Sequence, residues 1–472
     1  MTVEWWSIIP FALLLLCIAI LPLVSATERA WERNSVKLGV SVLLGVPVAI
    51  AYLVAGQTTS VVHALVEYGQ FITLLFALFV VSGGIFLTGD IRATPRNNTI
   101  FLAIGGAIAS IVGTTGAAML LIRPLLNTNR ERTHRVHTVV FTIFIVANCG
   151  GLLTPLGDPP LFLGFLRGVP FEWTLTLFPE WLFTNGLLLL TYYGLDRRAW
   201  AREPEAAIDW DEAAQTRLGL RGKVNIAFFA VIVVAVASIP SLELHAIEVG
   251  TAAWWQWVPW RELAMLAAAG ASYTLGDKVV RFKLNRFTWH PILEVAALFL
   301  GIFLAMIPAL DYLAQVAPAL PLNNLTFFFF SGILSSVLDN APTYATFFEM
   351  ASQLPGDPLV GLVAGVPESF LVSVSLGSVF WGAATYIGNG PNFMTKSVAD
   401  SAGVKMPSFG GYIGWSMRFL VPILVAMAAI FVAEGAVWNT GGIILAALIA
   451  ASSVVQAVRN KRPPTHTPTP RP

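Results

Sequence analysis

Long apolar runs, separated by short polar segments, make up most of this 472-residue chain. A helix needs about 20 apolar residues to cross the hydrocarbon core of a bilayer, and most of the runs approach or exceed that length. The pattern predicts an all-α polytopic membrane protein with spans near residues 7–25, 38–56, 68–88, 137–170, 175–195, 224–240, 262–276, 288–310, 362–395, 412–434 and 437–457.

Two further apolar runs, near 98–122 and 325–350, are interrupted before they can span. Gly113–Gly116 (Gly-Thr-Thr-Gly) cuts the first run and Asp339–Pro342 (Asp-Asn-Ala-Pro) cuts the second, which leaves pieces of about 10 to 15 residues. Arginines flank the first run on both sides, whereas neither flank of the second contains Lys or Arg. Because Lys and Arg collect on the cytoplasmic side, we expect two re-entrant hairpins, the first entering from inside and the second from outside.

This placement of the hairpins puts the remaining basic loops on one side of the membrane. It predicts eleven crossings, an external N-terminus and a cytoplasmic C-terminus. The chain then divides into a first half (1–196), a basic cytoplasmic linker (197–223), a second half (224–460) and a tail (461–472), whose alternating Pro, Thr and Arg predict disorder.

Two of the predicted spans carry the same interrupted sequence. Thr154–Pro160 lies within 137–170 and Thr385–Pro391 lies within 362–395, and each reads Thr-x-x-Gly-Asp or Asn before proline. Proline and glycine disrupt a helix, and unpaired backbone at bilayer depth is tolerated only where it lines a cavity or is buried in protein. The order hairpin, broken helix, helix occurs twice with opposite orientation. This predicts an inverted repeat whose halves meet near the bilayer midplane, as in secondary transporters.

Composition narrows the class of protein further. Only 12% of the residues are charged, the mean hydropathy is +0.72, and the net charge is +1. These values exclude a soluble domain and point to no nucleic-acid partner, so the lipid bilayer and small solutes are the expected partners. Cys17 and Cys149 both lie in apolar runs and cannot build a disulfide framework or a cysteine metal site.

Two carboxylates stand in the breaks. Because a carboxylate at bilayer depth is costly, Asp158 in the first broken helix and Asp339 at the tip of the second hairpin are candidates for a functional site. Hard cations such as sodium bind carboxylate, carbonyl and hydroxyl oxygens. We expect both aspartates to bind sodium, with neutral oxygen ligands from the two halves: Thr114, Thr115, Asn148, Thr154, Asn340, Thr343, Thr385, Asn389 and Asn392.

The same residue types also cap helices. An Asp, Asn or Thr beside Pro or Gly often satisfies backbone groups that a break leaves free. For Thr114, Thr154 and Thr385, the capping role and the ligand role both remain open. For the two aspartates we favour the functional role, because Asn or Ser would cap a helix without bringing in a buried charge.

At these residues the chain resembles the ion transporter superfamily, most closely the NhaD-type sodium/proton antiporters and the related citrate transporters. Asn148–Asp158 looks like the NhaD-type Asn-x-Gly-Gly-x-x-Thr-Pro-Ile-Gly-Asp segment, and Leu338–Thr343 is similar to the Asp-Asn-x-Pro element of the second hairpin. Thr385–Asn392 resembles the second broken helix of the superfamily. The chain departs from the NhaD-type pattern at Pro159 and Pro160, which replace a hydroxyl-rich stretch.

The resemblance implies a homodimer in a bacterial-type inner membrane. Each protomer would combine a scaffold domain, through which it dimerises, with a transport domain that moves across the membrane like an elevator. These features are expectations from the resemblance and do not follow from the composition or the spacing of residues.

We expect the protein to exchange sodium (or lithium) for protons, with Asp158 and Asp339 alternately binding a proton and a metal ion. No cofactor besides the transported sodium and protons is expected, and no enzymatic activity. The alternative is a proton- or sodium-coupled carrier for citrate or another organic anion, whose carboxylates could be held by helix N-termini. A buried arginine would favour that alternative, but Arg123 and Arg167 both fall at the ends of spans.

Two other functions fit less well. An intramembrane aspartyl protease also needs two membrane aspartates and a Gly-Asp motif, but here Gly157 and Asp158 precede the second aspartate, the reverse of the usual order. No phosphate loop, zinc signature or Ser-His arrangement indicates other catalysis. A passive channel is disfavoured because paired hairpins at a midplane site are typical of transporters.

Overall fold

The computed structural model describes residues 3–22, 24, 26–213, 215–355 and 361–460. In this part of the chain α-helices predominate, and six helical stretches are long and apolar enough to cross a membrane: Asn34–Val54, Thr58–Ser82, Val136–Leu153, His290–Ala319, Phe409–Val432 and Ala436–Arg459. The protein is therefore a mostly helical integral membrane protein, as the apolar pattern predicts. The other predicted crossings fall on shorter or more polar helices, and the predicted disorder of 461–472 lies outside the described residues.

The first part of the chain, including the first half of the linker, contains ten α-helices in the described residues. They are α1 (Ile9–Ile20), α2 (Glu28–Trp31), α3 (Asn34–Val54), α4 (Thr58–Ser82), α5 (Pro95–Val112), α6 (Thr114–Thr128), α7 (Val136–Ile145), α8 (Pro159–Leu166), α9 (Phe178–Trp200) and α10 (Glu205–Ala213). Short 3₁₀ helices cover Trp5–Ile8, Cys149–Leu153 and Phe171–Leu177.

The second part continues with eleven α-helices in the described residues. They are α11 (Val224–Ser238), α12 (Leu244–Val249), α13 (Trp260–Leu275), α14 (His290–Val316), α15 (Asn324–Val337), α16 (Asn340–Ser352), α17 (Glu368–Trp381), α18 (Gly390–Ser401), α19 (Phe409–Trp415), α20 (Val421–Met427) and α21 (Ala436–Arg459). Short 3₁₀ helices cover Trp254–Trp257, Ala317–Ala319 and Gly382–Ala384, and π-helical turns cover Val279–Leu284, Ser416–Leu420 and Ala428–Val432.

Two helical hairpins form where the apolar runs are interrupted. The first hairpin consists of α5 and α6, which meet at Gly113, whose φ of 83° suits glycine. The second hairpin consists of α15 and α16, which meet at Leu338 and Asp339. The expected arm length of about 10 to 15 residues is wrong for α5, which has 18 residues. That helix starts before the apolar run because Thr94 caps it and Pro95 occupies its first position.

Two spans are broken where the repeated motif predicts a break. In the first, α7 is followed by the 3₁₀ turn at Cys149–Leu153, and α8 starts at Pro159. In the second, α17 is followed by the 3₁₀ turn at Gly382–Ala384, and α18 starts at Gly390. A proline at the first or second helical position fits both restarts, since the N–H group that proline lacks has no partner there in any case.

Short β-strands, which the all-α prediction did not include, occur in two places. β1 (Phe86–Asp90) pairs antiparallel with β2 (Thr216–Arg221). This pairing joins the linker to the segment that precedes the first hairpin. β3 (Leu362–Val363) pairs with β4 (Val366–Pro367). The predicted start of a span at residue 362 is therefore wrong, because a tight turn with positive φ at Ala364 and Gly365 precedes α17.

Helix packing brings the broken helices and the hairpins together. α3 lies along α14 at close range, since a Cβ atom on Gly301 would collide with Ser41. α4 contacts α13 and α14, and it also touches α6 and α8. The second hairpin packs on α17 through α15 and on α8 through α16, while α18 packs on α6. Each hairpin therefore contacts a broken helix of the other half of the chain.

Candidate functional site

The beginnings of four helices converge on the side chain of Asp158. Thr114 is the first residue of α6 and Asn340 the first of α16, while Asp158 and Asn389 directly precede α8 and α18. The Oδ1 atom of Asp158 accepts hydrogen bonds from Thr114 Oγ1 at 2.9 Å and from Asn389 Nδ2 at 3.1 Å. Its Oδ2 atom accepts one from Asn340 Nδ2 at 2.6 Å. Both hairpins and both broken helices thus meet at one carboxylate.

The electrostatic setting of Asp158 is unusual for a buried carboxylate. The residue is 1% exposed, and in the described part of the chain all its side-chain hydrogen-bond partners are neutral. Helix N-termini carry partial positive charge and unpaired N–H groups, so the four converging ends stabilise negative charge. The site can therefore hold an anionic carboxylate without an arginine or a lysine.

Asp339 plays a different part in the geometry. It is the N-cap residue of α16, and its Oδ1 atom accepts a hydrogen bond from the backbone N–H of Ala341 at 3.1 Å. It directly precedes Asn340, which is the residue of this hairpin tip that reaches Asp158. Within the residues that the structure describes, no group of three or more His, Cys, Asp or Glu side chains could hold a metal ion.

A network of three asparagines connects the two broken helices. Asn148 Nδ2 donates to Asn392 Oδ1 at 2.7 Å, and Asn148 Oδ1 accepts from Asn389 Nδ2 at 3.2 Å. Asn392 Nδ2 donates in turn to the carbonyl oxygens of Gly382 and Thr385, at 2.8 Å each. The three asparagines satisfy backbone groups of the breaks and place Asn389 beside Asp158.

The two motif threonines occupy corresponding positions. Thr154 Oγ1 donates to the carbonyl oxygen of Ser110, and Thr385 Oγ1 donates to that of Ser336 at 2.5 Å. Each hydroxyl also accepts a hydrogen bond from the backbone N–H two residues further on, at 3.2 Å in both cases. Each threonine therefore joins a broken helix to the first arm of the adjacent hairpin. Like a helix cap, its hydroxyl satisfies backbone groups, but these groups belong to two different elements.

The motif glycines allow the backbone of each break to pack closely. A Cβ atom on Gly157 would collide with the carbonyl oxygen of Gly151, and one on Gly388 would lie 2.6 Å from the carbonyl oxygen of Gly382. The Thr114 backbone N–H also donates to the carbonyl oxygen of Gly157 at 2.8 Å. This contact joins the tip of the first hairpin to the break itself.

Six of the nine predicted neutral ligands, all within the described residues, form no hydrogen bond with Asp158; besides Asn148, Asn392 and the two motif threonines, these are Thr343 and Thr115. Thr343 Oγ1 donates to the carbonyl oxygen of Asp339 at 3.1 Å, within its own helix. Thr115 follows Thr114 on α6 and is partly exposed. The backbone carbonyl oxygens of Ser110 and Ser336 also hold the site together, and the sequence pattern did not predict this role.

A buried cluster of charged side chains near the linker was not predicted from the sequence. Arg132 forms an ion pair with Asp196, and His137 Nε2 lies 2.8 Å from the same carboxylate. All three residues are buried, at 4%, 0% and 7% exposure. In the sequence they look like ordinary charges near the end of a span, and no local signal shows that they meet.

Arg167 reaches further into the protein than its position at a span end suggests. Its Nη1 atom donates to the carbonyl oxygen of Ala345 at 3.1 Å, and its Nη2 atom lies 3.4 Å from Glu67 Oε2. Arg167 follows α8, which separates it from Asp158 by the length of that helix. The arginine therefore joins α8, α16 and α4 at the end of α8 remote from the site.

Comparisons with known proteins indicate that this chain is a membrane transporter. Residues 1–432 match the model of the family described as "Putative citrate transport". Two uncharacterized transporters, one from Mycobacterium tuberculosis and one from Mycobacterium bovis, are each 25% identical over 359 residues, which cover 72% of this chain and 77% of the relative. The predicted transporter class is thus confirmed, with the citrate branch named by the match in place of the NhaD-type antiporters. With more than nine-tenths of its length in that match, the chain belongs to the citrate-transport family of membrane transporters.

Proposed function

We propose that this protein is a secondary transporter that carries citrate or another small organic anion, coupled to a proton or a sodium ion that binds at Asp158. The observation that carries the proposal is the convergence of four helix beginnings on this one buried carboxylate. Helix N-termini bind carboxylates through their free N–H groups and their dipole. The family of the chain supplies the substrate class.

In this proposal Asp158 is the coupling residue. A proton or a sodium ion on Asp158 removes its negative charge, and the helix ends then become available to the carboxylates of the substrate. Asn340 Oδ1 supports a bound cation, because this atom is buried and has no hydrogen-bond partner in the described part of the chain. Further oxygens would come from Asp339 and from Thr114 and Asn389, which both bond to Asp158.

The proposed architecture is an inverted repeat of 1–196 and 224–460, joined by 197–223. The corresponding contacts of Thr154 with Ser110 and of Thr385 with Ser336 support this repeat. It includes two re-entrant hairpins, eleven crossings, an external N-terminus and a cytoplasmic C-terminus in a bacterial-type inner membrane. The resemblance adds elevator motion and a homodimer to the proposal.

The proposal can be tested with purified protein in liposomes. Radiolabelled citrate is supplied outside, with an inward proton gradient, an inward sodium gradient, both, or neither. We expect citrate to accumulate only with a cation gradient, and we expect no accumulation with Asp158→Asn. Uptake that is equal with and without a gradient, or that survives in Asp158→Asn, would contradict the coupling role of Asp158.

Exchange of sodium (or lithium) for protons is the second candidate. It is favoured by the purely neutral partners of Asp158, since a polyvalent anion is commonly bound by arginine in addition to helix ends. The same liposomes, loaded with a pH dye, distinguish the two functions. Dissipation of an imposed proton gradient by sodium or lithium in the absence of citrate, together with no citrate uptake, would establish exchange.

A further inference from the structure

Two buried carboxylates of the linker hold the two ends of the first hairpin. Glu203 accepts hydrogen bonds from the backbone N–H groups of Thr133 and His134, both at 2.9 Å, just after α6. Both carboxylate oxygens of Asp211, at 3.2 and 3.0 Å, accept the backbone N–H of Ala93, just before α5. Glu203 and Asp211 are 4% and 3% exposed. Two acidic side chains of one segment therefore fasten the entry and the exit of the same hairpin.

We propose that Glu203 and Asp211 are positioning residues, which clamp both ends of the first hairpin and thereby hold Thr114 against Asp158. The effect on Asp158 rests on the proposed function, whereas the clamp itself does not. Each carboxyl group accepts hydrogen bonds from backbone N–H groups, and a buried donor that loses its partner costs free energy. Loss of either carboxylate would free one end of the hairpin and widen the range of positions of its tip.

Further contacts support the docking of the linker at this place. β2 of the linker pairs with β1, which ends at Asp90, shortly before Ala93. Arg132 Nη1 donates to the carbonyl oxygen of Ala93 at 3.3 Å and also to Asp196 Oδ2 at 3.0 Å. Both backbone polar groups of Ala93 are thus bonded to buried charged side chains. The start of the first hairpin is therefore bonded to the linker through Asp211, and to Asp196 of α9 through Arg132.

The Asp211 end of the clamp also responds to pH. The pKa of Asp211 is raised to about 6, mainly by burial and also by the negative charges of Glu131 and Asp90. The hydrogen bond from Ala93 and the charge of Arg92 act in the opposite direction. Three other charged groups lie nearby: Arg130, Glu212 and Arg132. Arg130 pairs with Glu131, and Glu212 pairs with Arg92. Arg132 donates to the carbonyl oxygen of Ala93. Asp90 itself is buried, its Oδ1 atom has no hydrogen-bond partner in the described residues, and burial raises its pKa.

The direction of the pH effect follows from the raised pKa. A carboxyl group whose pKa is higher in the docked state binds its proton more tightly there, so protonation favours docking. The clamp should therefore be tightest below about pH 4 and should loosen as the pH rises from about 4 through 6, when charge returns to Asp211 beside Glu131 and Asp90. Asp211→Asn keeps an acceptor oxygen without charge, and it should hold the clamp equally well at all pH values.

Hydrogen–deuterium exchange of the full-length protein in lipid nanodiscs tests the clamp directly. Rates are corrected for the intrinsic pH dependence of amide exchange and compared at pH 5 and pH 8. We expect Asp211→Ala to raise exchange around Ala93 at least tenfold, and Glu203→Ala to do so at Thr133 and His134. The wild type should be less protected at pH 8 than at pH 5, and Asp211→Asn should lose this difference. Asp209→Ala, an exposed residue of the same helix, is the matched control.

Citrate uptake into liposomes tests the positioning role. Asp211→Ala should lower the maximal rate at least fivefold with little change in KM, and Asp211→Asn should restore the rate and flatten its pH profile near 6. Unchanged exchange in both alanine variants would overturn the clamp, and increased exchange with an unchanged maximal rate would overturn the positioning role. If the wild type carries no citrate, the proposed function fails, and the exchange rates still decide whether the clamp exists.

Discussion

The Asn340 side-chain amide donates a hydrogen bond of 2.6 Å to Asp158 Oδ2 across 182 positions of sequence. Asn340 begins α16 and Asp158 precedes α8, so this bond joins the second hairpin to the first broken helix. Because a buried carboxylate needs donors from its surroundings, the position of the hairpin tip and the charge of Asp158 depend on each other. Binding of a cation at Asp158 would therefore act directly on the second hairpin.

Removal of the charge at Asp158 should abolish coupled transport. Asp158→Asn keeps the volume of the side chain but can neither take up a proton nor neutralise a cation, so we expect citrate uptake in liposomes to fall to background. The protein should remain folded and inserted, as judged by size-exclusion chromatography in detergent. Asp400→Asn, an exposed residue of α18, should transport normally. Coupled uptake by Asp158→Asn would refute the assignment.

Thr114 and Thr115 are adjacent, but only Thr114 bonds to Asp158. Thr114→Val keeps the shape and removes the donor, and loss of a hydrogen bond to a charged group costs about 1.5 to 3 kcal/mol. We expect the rate of uptake to fall roughly ten- to hundredfold if that energy acts on the transport cycle. Thr115→Val is the control and should change the rate less than about twofold. Equal losses in the two variants would argue against a specific role for the Asp158 contact.

The close backbone packing at Gly157 predicts a sharp difference between two glycines of the breaks. Gly157→Ala places a Cβ atom against the carbonyl oxygen of Gly151, whereas a Cβ atom on Gly390 meets nothing within 4 Å. We expect Gly157→Ala to lower the apparent melting temperature in detergent and to prevent uptake, because backbone cannot move aside as a flexible side chain can. Gly390→Ala should fold and melt like the wild type. Similar melting of both variants would contradict the packing.

The ion pair of Arg132 with Asp196 should matter for stability far more than the exposed arginine nearby. Arg132→Ala leaves the buried carboxylate of Asp196 without its arginine partner, and removal of one partner of a buried ion pair typically costs about 3 to 5 kcal/mol. Arg130→Ala removes an exposed partner of Glu131 and should cost about 0 to 1 kcal/mol. Unfolding by denaturant in detergent measures both changes. If Asp196→Asn in the Arg132→Ala background did not recover stability, the buried charge would not be the cause.

Asp211 should give the stability of the protein a measurable dependence on pH. Its pKa lies at about 6 in the folded protein, above the ordinary value of 3.8, so the folded state binds the proton more tightly than the unfolded state. Wild-type stability should therefore fall, relative to Asp211→Asn, as the pH rises from about 4 to about 7. Melting temperatures of the two proteins over this range check the prediction. Parallel curves would show that Asp211 titrates alike in both states.

Sequence alone determined where the helices break and why the protein lies in a membrane. The interruptions at Gly113 and at Gly157 follow from local rules, because glycine and proline act on the backbone within a few residues. Apolar length indicated helices long enough to span. The polar residues of the breaks were also recognisable, since a carboxylate such as Asp158 is costly in an apolar run.

Only the tertiary structure decided which of these residues meet. The three hydrogen-bond partners of Asp158 come from 44, 182 and 231 positions away, and no pattern in the sequence distinguishes Thr114 from Thr115. The pairing of β1 with β2 and the meeting of Arg132 with Asp196 depend in the same way on distant segments. The physical reason is that helix breaks are local properties of the backbone, whereas the partner of a buried charge is set by the packing of whole helices.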